Sequence, residues 1–217
     1  MSAITPKQQQ AIADLLTAMT LPSGLGSEEN ACSIAAINLA LSGQLTDDIP
    51  ACMSLVIGRW IIVVQDAMPA NMRNSAEWKR LLPLAAGTGR DHEEERLQLI
   101  LDWMWETTLP IVHPIADRDG FGAEWRTMLR DRTPAAAKAA AAAATTYAAV
   151  NVTDAAAAAA TYSAYAATYA ATYADAADAA RAAPSAAATY ATHARADVWQ
   201  QLDPCGLLQR LITLRPA

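Results

Sequence analysis

The stretch TYSAYAATYAATYADAADAARAAP, residues 161–184, decides the fold class because it lies within a region, residues 133–197, that is more than half alanine. Alanine has the strongest intrinsic helix propensity, so this region is expected to be helical rather than disordered. Four tyrosines follow one another at spacings of 3, 4 and 4 residues, along one side of a helix: Tyr162, Tyr165, Tyr169 and Tyr173. We therefore predict closely packed helices here, with tyrosines wedged between them or against the preceding bundle.

The residues before 133 carry repeated signals for the start and end of helices. Thr5-Pro6 predicts the start of a first helix, and Ser27 predicts a second that ends at Gly43. Pro50 predicts the start of a third, which is apolar on nearly every side and belongs at the centre of a bundle. The later signals are Asn74 with Glu77, Gly87, Asp91, Pro110, Pro114 and the turn DGFG at 119–122. No alternating run predicts a strand, so the expected fold is all-α.

Two further helix starts organise the rest of the chain. Thr133-Pro134 repeats the signal of a capping residue followed by proline, and Asp203-Pro204 precedes a short amphipathic helix. We predict a tryptophan-containing helical bundle over residues 1–133. The alanine-rich helical region over residues 134–217 is expected to pack on it as one structural unit.

Composition narrows the class of protein. A hydrophobic fraction of 53% with 18% charged residues differs from disordered chains, and a net charge of −6 argues against sequence-independent binding of nucleic acid. The longest strongly apolar run, at 61–64, is far shorter than the roughly 20 residues that span a bilayer. The N-terminus lacks the pattern of a signal peptide, and three widely spaced cysteines are typical of reduced core thiols. We expect a cytoplasmic protein without membrane contact.

The stretch AAGTGRDHEEER, residues 85–96, is a candidate anion site. Thr88, Gly89 and Arg90 lie between one helix end and the next helix start, where backbone N–H groups can converge on a phosphate. The alternative is a plain turn between helices with Arg90 on the surface. The glutamates at 93–95 would oppose a phosphate unless they face away.

Three further pairs of neighbouring residues contain a cationic residue, and two of the pairs also contain a tryptophan. An indole ring and a guanidinium group together suit a nucleobase and its phosphate. The pairs are Arg59 with Trp60, Arg73 with Asn74, and Trp78 with Lys79. Arg59 lies in an apolar helix, so it either reaches solvent, pairs with Asp66 or Asp102, or meets a ligand. The alternative is that the tryptophans are the main aromatic residues of the core.

Catalytic and metal signals are weak. His92 and Glu95 have the i, i+3 spacing of a metal-binding pair, but a di-iron site requires a second carboxylate-rich helix. No serine, histidine or cysteine lies in a recognisable catalytic pattern. The 11-residue interval between Thr161 and Thr172 suits an ice-binding helix but does not continue as an array. We predict no catalytic residue, no metal and no cofactor.

The chain resembles uncharacterised proteins encoded by bacteriophages and prophages. The resemblance is carried by ACSIAAINLALSGQLTDDIPACMSLVIGRWIIVVQDAMP at 31–69, RNSAEWKRLLPLAAGTGR at 73–90 and DVWQQLDPCGLLQRLI at 197–212. The alanine and tyrosine pattern is also similar, in composition, to bacterial proteins labelled as immunity proteins. The resemblance implies a small phage protein that binds a component of the host cell and interferes with a host process.

These observations lead to one leading hypothesis about function. The chain is expected to act without catalysis, in the cytoplasm of the host bacterial cell, by sequestering a small anionic ligand such as a nucleotide signal of antiviral defence. The predicted ligand-binding residues are Arg59, Trp60, Arg73, Trp78, Thr88, Gly89 and Arg90. The rival hypotheses are an inhibitor that binds a host defence protein and an enzyme that processes nucleotides. Flat alanine faces also predict a homo-oligomer.

Overall fold

The computed structural model describes residues 4–150 and 196–214, and for residues 148–150 and 196–197 it describes only the backbone. Every regular element in that part of the chain is a helix, which confirms the predicted all-α fold. The helices are α1 Pro6–Ala18, α2 Ser33–Ser42, α3 Leu55–Ala67, α4 Ala70–Arg73, α5 Ala76–Ala85, α6 Glu93–Trp103, a π-helical turn Met104–Thr108, α7 Leu109–Arg118, α8 Gly122–Asp131, α9 Pro134–Val150, α10 Ala196–Leu202 and α11 Pro204–Thr213.

The chain divides into two compact units. Unit 1 comprises Met1–Arg96 with Pro204–Ala217, and unit 2 comprises Leu97–Asp203. The sequence-based division at residue 133 stays a prediction, because most of the alanine-rich stretch that follows lies outside the described residues. The predicted tyrosine face at 162–173 lies outside them as well.

Unit 1 is built around α1, α3 and α5. Helix α1 packs against α2 and α5, while α11 packs against α5 and α3. The apolar residues of α3 are buried on several sides, as its sequence predicts for a central helix. The largest fully buried side chains of the unit include Ile12, Leu16, Ile34, Ile37, Ile57, Trp60, Ile61 and Trp78.

Unit 2 is built around α8, which packs against α7 on one side and against α9 on another. Trp125 and Met128 of α8 are fully buried. The buried side chains of α9 are alanines at helical spacing: Ala136, Ala137, Ala140, Ala141 and Ala144. Because alanine is small, helices with such a face can approach closely, and this part of the alanine-rich region is therefore packed core.

Three of the predicted helix boundaries are confirmed by cap geometry. Thr5 and Gln8 form a capping box at the start of α1, and Gly43 ends α2 in the left-handed conformation at φ 73°. The Thr133 hydroxyl accepts a hydrogen bond from the Ala136 amide at 3.3 Å at the start of α9. These signals depend on residues within three or four positions of one another, which makes them readable from sequence.

Four predicted starts are wrong. Asp91 does not cap α6, because the helix begins at Glu93 and the Arg96 amide bonds to the His92 carbonyl. Ser27 forms a turn with Asn30, so α2 begins later, with Cys32 as its N-cap. Helix α3 begins after Ser54 rather than at Pro50, because Pro50 accepts a hydrogen bond from the Met53 amide in a separate turn. The N-cap of α5 is Ser75 rather than the predicted Asn74.

The region around Pro110 also differs from its prediction, since Pro110 and Pro114 were expected to leave only a short helical piece, whereas α7 spans Leu109–Arg118. The chain instead remains helical through the π-helical turn, in which the Leu109 amide bonds to the Met104 carbonyl. A proline lacks the N–H that an α-helix would use, and the wider turn places Pro110 in the first turn of α7, where that N–H is not needed.

Within the described residues, none of the helices has both the length and the hydropathy that crossing a bilayer requires.

Candidate functional site

The predicted tryptophans lie in the core of unit 1. Trp60 and Trp78 are both 0% exposed, with ring centroids 6.1 Å apart and planes inclined by 43°. The Trp78 indole N–H donates to the Ser33 hydroxyl at 3.1 Å. All six tryptophans of the chain are buried, as the core interpretation predicts. A ligand would reach either ring only if this core opened. The role of Trp60 and Trp78 as ligand contacts stays a prediction.

Arg73 is buried, and its guanidinium group connects separate segments of unit 1. It donates to the carbonyls of Leu21 at 2.8 Å, Gln65 at 3.0 Å and Met68 at 2.7 Å. Burial lowers the pKa of Arg73, and the charge of Asp66 opposes that shift. Arg73 therefore ties the segment after α1 to the C-terminal end of α3.

Asn74 completes the same connection. Its side-chain oxygen accepts from the Leu21 amide at 2.7 Å, and its side-chain nitrogen donates to the Leu21 carbonyl at 3.1 Å. The same nitrogen donates to the Ala70 carbonyl at 2.9 Å. Both Arg73 and Asn74 thus form hydrogen bonds with backbone groups of the chain itself.

The predicted anion turn at 88–90 is also engaged internally. The Gly89 amide, at φ 66°, donates to the Cys52 carbonyl at 2.8 Å, and the Thr88 amide donates to the Ala85 carbonyl at 3.2 Å. The Thr88 hydroxyl donates to Ala85 at 2.8 Å and accepts from the Ser54 amide at 3.0 Å. These two amides therefore point at carbonyl groups rather than into an open concavity.

Glu93 supplies an internal anion next to that turn. Its carboxylate accepts from the Ser54 hydroxyl at 2.7 Å and from the amides of Leu55 at 2.8 Å and Val56 at 3.0 Å. These donors form the N-terminus of α3, where the helix dipole favours negative charge. A glutamate of the chain therefore occupies the anion position at the N-terminus of α3.

Arg96 was not predicted, and it stabilises the same turn. It is 3% exposed and donates to the carbonyls of Leu211 at 3.1 Å and Thr88 at 3.3 Å, and also to that of Asp91. Burial lowers its pKa, while the charges of Glu93, Asp91 and Glu95 raise it. Its partners include α11, which is distant in sequence, and this explains why no local signal revealed it.

The two remaining predicted arginines are less constrained. Arg90 is half-buried, and one of its nitrogens lies 3.4 Å from the carbonyls of Ile49 and Pro50. Arg59 is half-buried and makes no hydrogen bond or ion pair with any residue that the structure describes. Of the alternatives for Arg59, pairing with Asp66 is therefore not observed.

A cleft of about 460 Å³ in unit 1 provides a more accessible site. We call it the cationic cleft, and its lining residues are Ala13, Thr17, Asn74, Ala76, Lys79 and Arg80. Two of these residues come from α1 and three from α5, because the two helices pack side by side. A volume of this size is within the usual range of small-molecule sites.

The basic residues of the cationic cleft retain hydrogen-bond donors. Lys79 donates once, to the Met19 carbonyl at 2.7 Å, so two of its three N–H groups have no partner within the described residues. Arg80 is exposed, and its one described hydrogen bond is a long one, 3.4 Å, to Gln209. Among the described residues, no carboxylate lines the cleft. The sequence carries a signal for it, since Lys79-Arg80 is the one place where two basic residues are adjacent.

Within residues 4–150 and 196–214, no group of three or more histidine, cysteine or acidic side chains is arranged to hold a metal ion. Comparison with protein families, with curated proteins and with solved structures found no match for this chain.

Proposed function

We propose that the chain is a phage-encoded binding protein that sequesters a small anionic ligand in the cationic cleft, and that the ligand is a nucleotide signal of host antiviral defence. The observation that carries the proposal is that Lys79 and Arg80 line one cleft and that none of its other described lining residues is a carboxylate. The phage context comes from the sequence resemblance described above.

Local charge supports an anionic ligand. The chain as a whole carries −6, so an anion is repelled by most of its surface and needs a local excess of positive charge. The Arg80 guanidinium can bind a phosphate through two parallel hydrogen bonds, and Lys79 adds a second, compact charge. Two cationic side chains suit a ligand with a phosphate group better than a ligand with a single carboxylate.

The rest of the lining supports a ligand that also has an apolar part. Ala13 and Ala76 present methyl groups, and the Thr17 hydroxyl donates to the Ala13 carbonyl at 2.8 Å while it can still accept a hydrogen bond. A flat ring can lie against the two alanines while its phosphate meets Lys79 and Arg80. This division of roles is that of a nucleotide.

The alternative is a protein-binding inhibitor that uses an exposed alanine and tyrosine surface, most of which lies outside the described residues. In the described part of the chain, the exposed large apolar side chains are Leu25 and Leu55, each 40% exposed. Two such residues are an ordinary number for a protein surface and do not favour this function over the first.

A thermal-shift panel of cyclic and linear nucleotides tests the proposal. A ligand of the native protein raises the melting temperature by an amount that grows with ligand concentration. If no nucleotide raises it, the nucleotide proposal is wrong.

Substitution of Arg80 tests the site itself. For the nucleotide with the largest shift, Arg80→Gln should weaken the affinity by about tenfold, because a charge-assisted hydrogen bond to phosphate is lost. Lys138→Gln is the matched control, since Lys138 is an exposed basic residue of α9 outside the cleft and its loss changes the net charge equally. Equal weakening by both substitutions would indicate an effect of overall charge rather than a site.

A further inference from the structure

A second cleft, in unit 2, has lining residues of the opposite charge. It measures about 420 Å³, and we call it the acidic cleft; it is lined by Asp119, Gly120, Phe121, Glu124, Ala143, Thr146 and Tyr147. The first three residues form the turn between α7 and α8, Glu124 lies in the first turn of α8, and the last three lie on α9. None of the lining residues that the structure describes is basic.

The two carboxylates of the acidic cleft differ in their partners. Asp119 has a side chain only 2% exposed and receives two hydrogen bonds from Arg118, at 2.5 and 2.8 Å, so its charge is largely offset within the turn. Glu124 is exposed and makes no hydrogen bond or ion pair with any described residue. The lining therefore presents about one uncompensated negative charge.

The apolar part of the lining includes aromatic rings. The rings of Phe121 and Tyr147 lie 6.0 Å apart at an angle of 48°, and Tyr147 is half-buried. An aromatic ring provides a large apolar surface against which an apolar group of a ligand can pack. The Thr146 hydroxyl donates to the Ala142 carbonyl at 2.9 Å and retains the ability to accept a hydrogen bond from an ammonium group.

From this combination we infer that the acidic cleft binds a primary organic ammonium with an apolar group attached. Glu124 provides the counter-charge, Thr146 accepts a hydrogen bond from the ammonium, and the ring of Tyr147 with the methyl group of Ala143 contacts the apolar group. A neutral or anionic molecule would leave the Glu124 charge uncompensated or repel it. This site is separate in its residues and its ligand from the cationic cleft, and it does not depend on the function proposed for that cleft.

The test uses phenethylammonium as the probe and phenethyl alcohol as its neutral counterpart. Two-dimensional amide NMR of the full chain should show saturable shifts at Gly120, Glu124 and Thr146 with the ammonium compound. The alcohol should bind about fivefold more weakly, because it lacks the charge that Glu124 attracts. The amide spectrum also reports whether each variant remains folded.

Two variants identify the carboxylate that is responsible. Glu124→Gln keeps the size of the side chain and should weaken phenethylammonium binding about fivefold. Glu94→Gln, the control, removes the charge of an exposed glutamate of α6 and should leave the binding unchanged. The inference is overturned if no saturable shift occurs at these three amides, if the alcohol binds as tightly as the ammonium compound, or if Glu124→Gln binds as tightly as the unmodified chain.

Discussion

The turn at 88–90 and the cationic cleft both belong to unit 1, and both contain groups that bind anions, but they use those groups in different ways. In the turn, the amides of Thr88 and Gly89 donate to carbonyls of the chain, and Glu93 fills the adjacent N-terminus of α3. In the cleft, Lys79 and Arg80 keep most of their donors. A candidate site must therefore be judged by the hydrogen-bond donors that remain without a partner after folding, not by the donors present in the sequence.

The largest expected effect separates a buried arginine from an exposed one. Arg73→Met should lower the free energy of unfolding by about 3–5 kcal/mol, because it removes the donor from three buried carbonyl groups. Arg80→Met, the matched control in the cationic cleft, should change it by less than about 0.5 kcal/mol. Urea unfolding of both variants measures the difference. A similar, small effect of both substitutions would show that Arg73 is not the internal connection described above.

A smaller effect is expected at the internal anion. Glu93→Ala should lower the free energy of unfolding by about 1–2 kcal/mol, because the amides of Leu55 and Val56 lose a charged acceptor at the start of α3. Glu94→Ala removes a neighbouring exposed carboxylate and should have little effect. The measurement is again urea unfolding. Equal effects at the two positions would mean that the Glu93 cap does not stabilise the unit.

Local sequence signals predicted much of the fold. Thr5-Pro6, Gly43 and Thr133-Pro134 were read correctly because a cap and its partner lie within one helical turn. The predicted starts of α2 and α3 are wrong because a turn lies between each predicted start, Ser27 or Pro50, and the true cap, Cys32 or Ser54.

The candidate ligand-binding residues were harder to predict than the helices, for a physical reason. Arg73 and Trp78 look like ligand-binding residues in sequence, but their partners Leu21 and Ser33 lie 52 and 45 positions away. A polar residue with a distant internal partner cannot be distinguished, from one sequence, from a residue that awaits a ligand. Conversely, Lys79-Arg80 is visible in the sequence as a pair of adjacent basic residues, but only the packing of α1 against α5 places the pair in a cleft.

The most direct test of the central claim is an amide NMR titration of the full chain with the nucleotide that gives the largest thermal shift. We expect saturable shifts of the amide signals of Thr17, Lys79 and Arg80, while the amide signals of Thr88 and Gly89 remain unchanged. Shifts centred on Thr88, Gly89 and Arg90 instead, or no saturable shift at Lys79 and Arg80, would contradict the central claim.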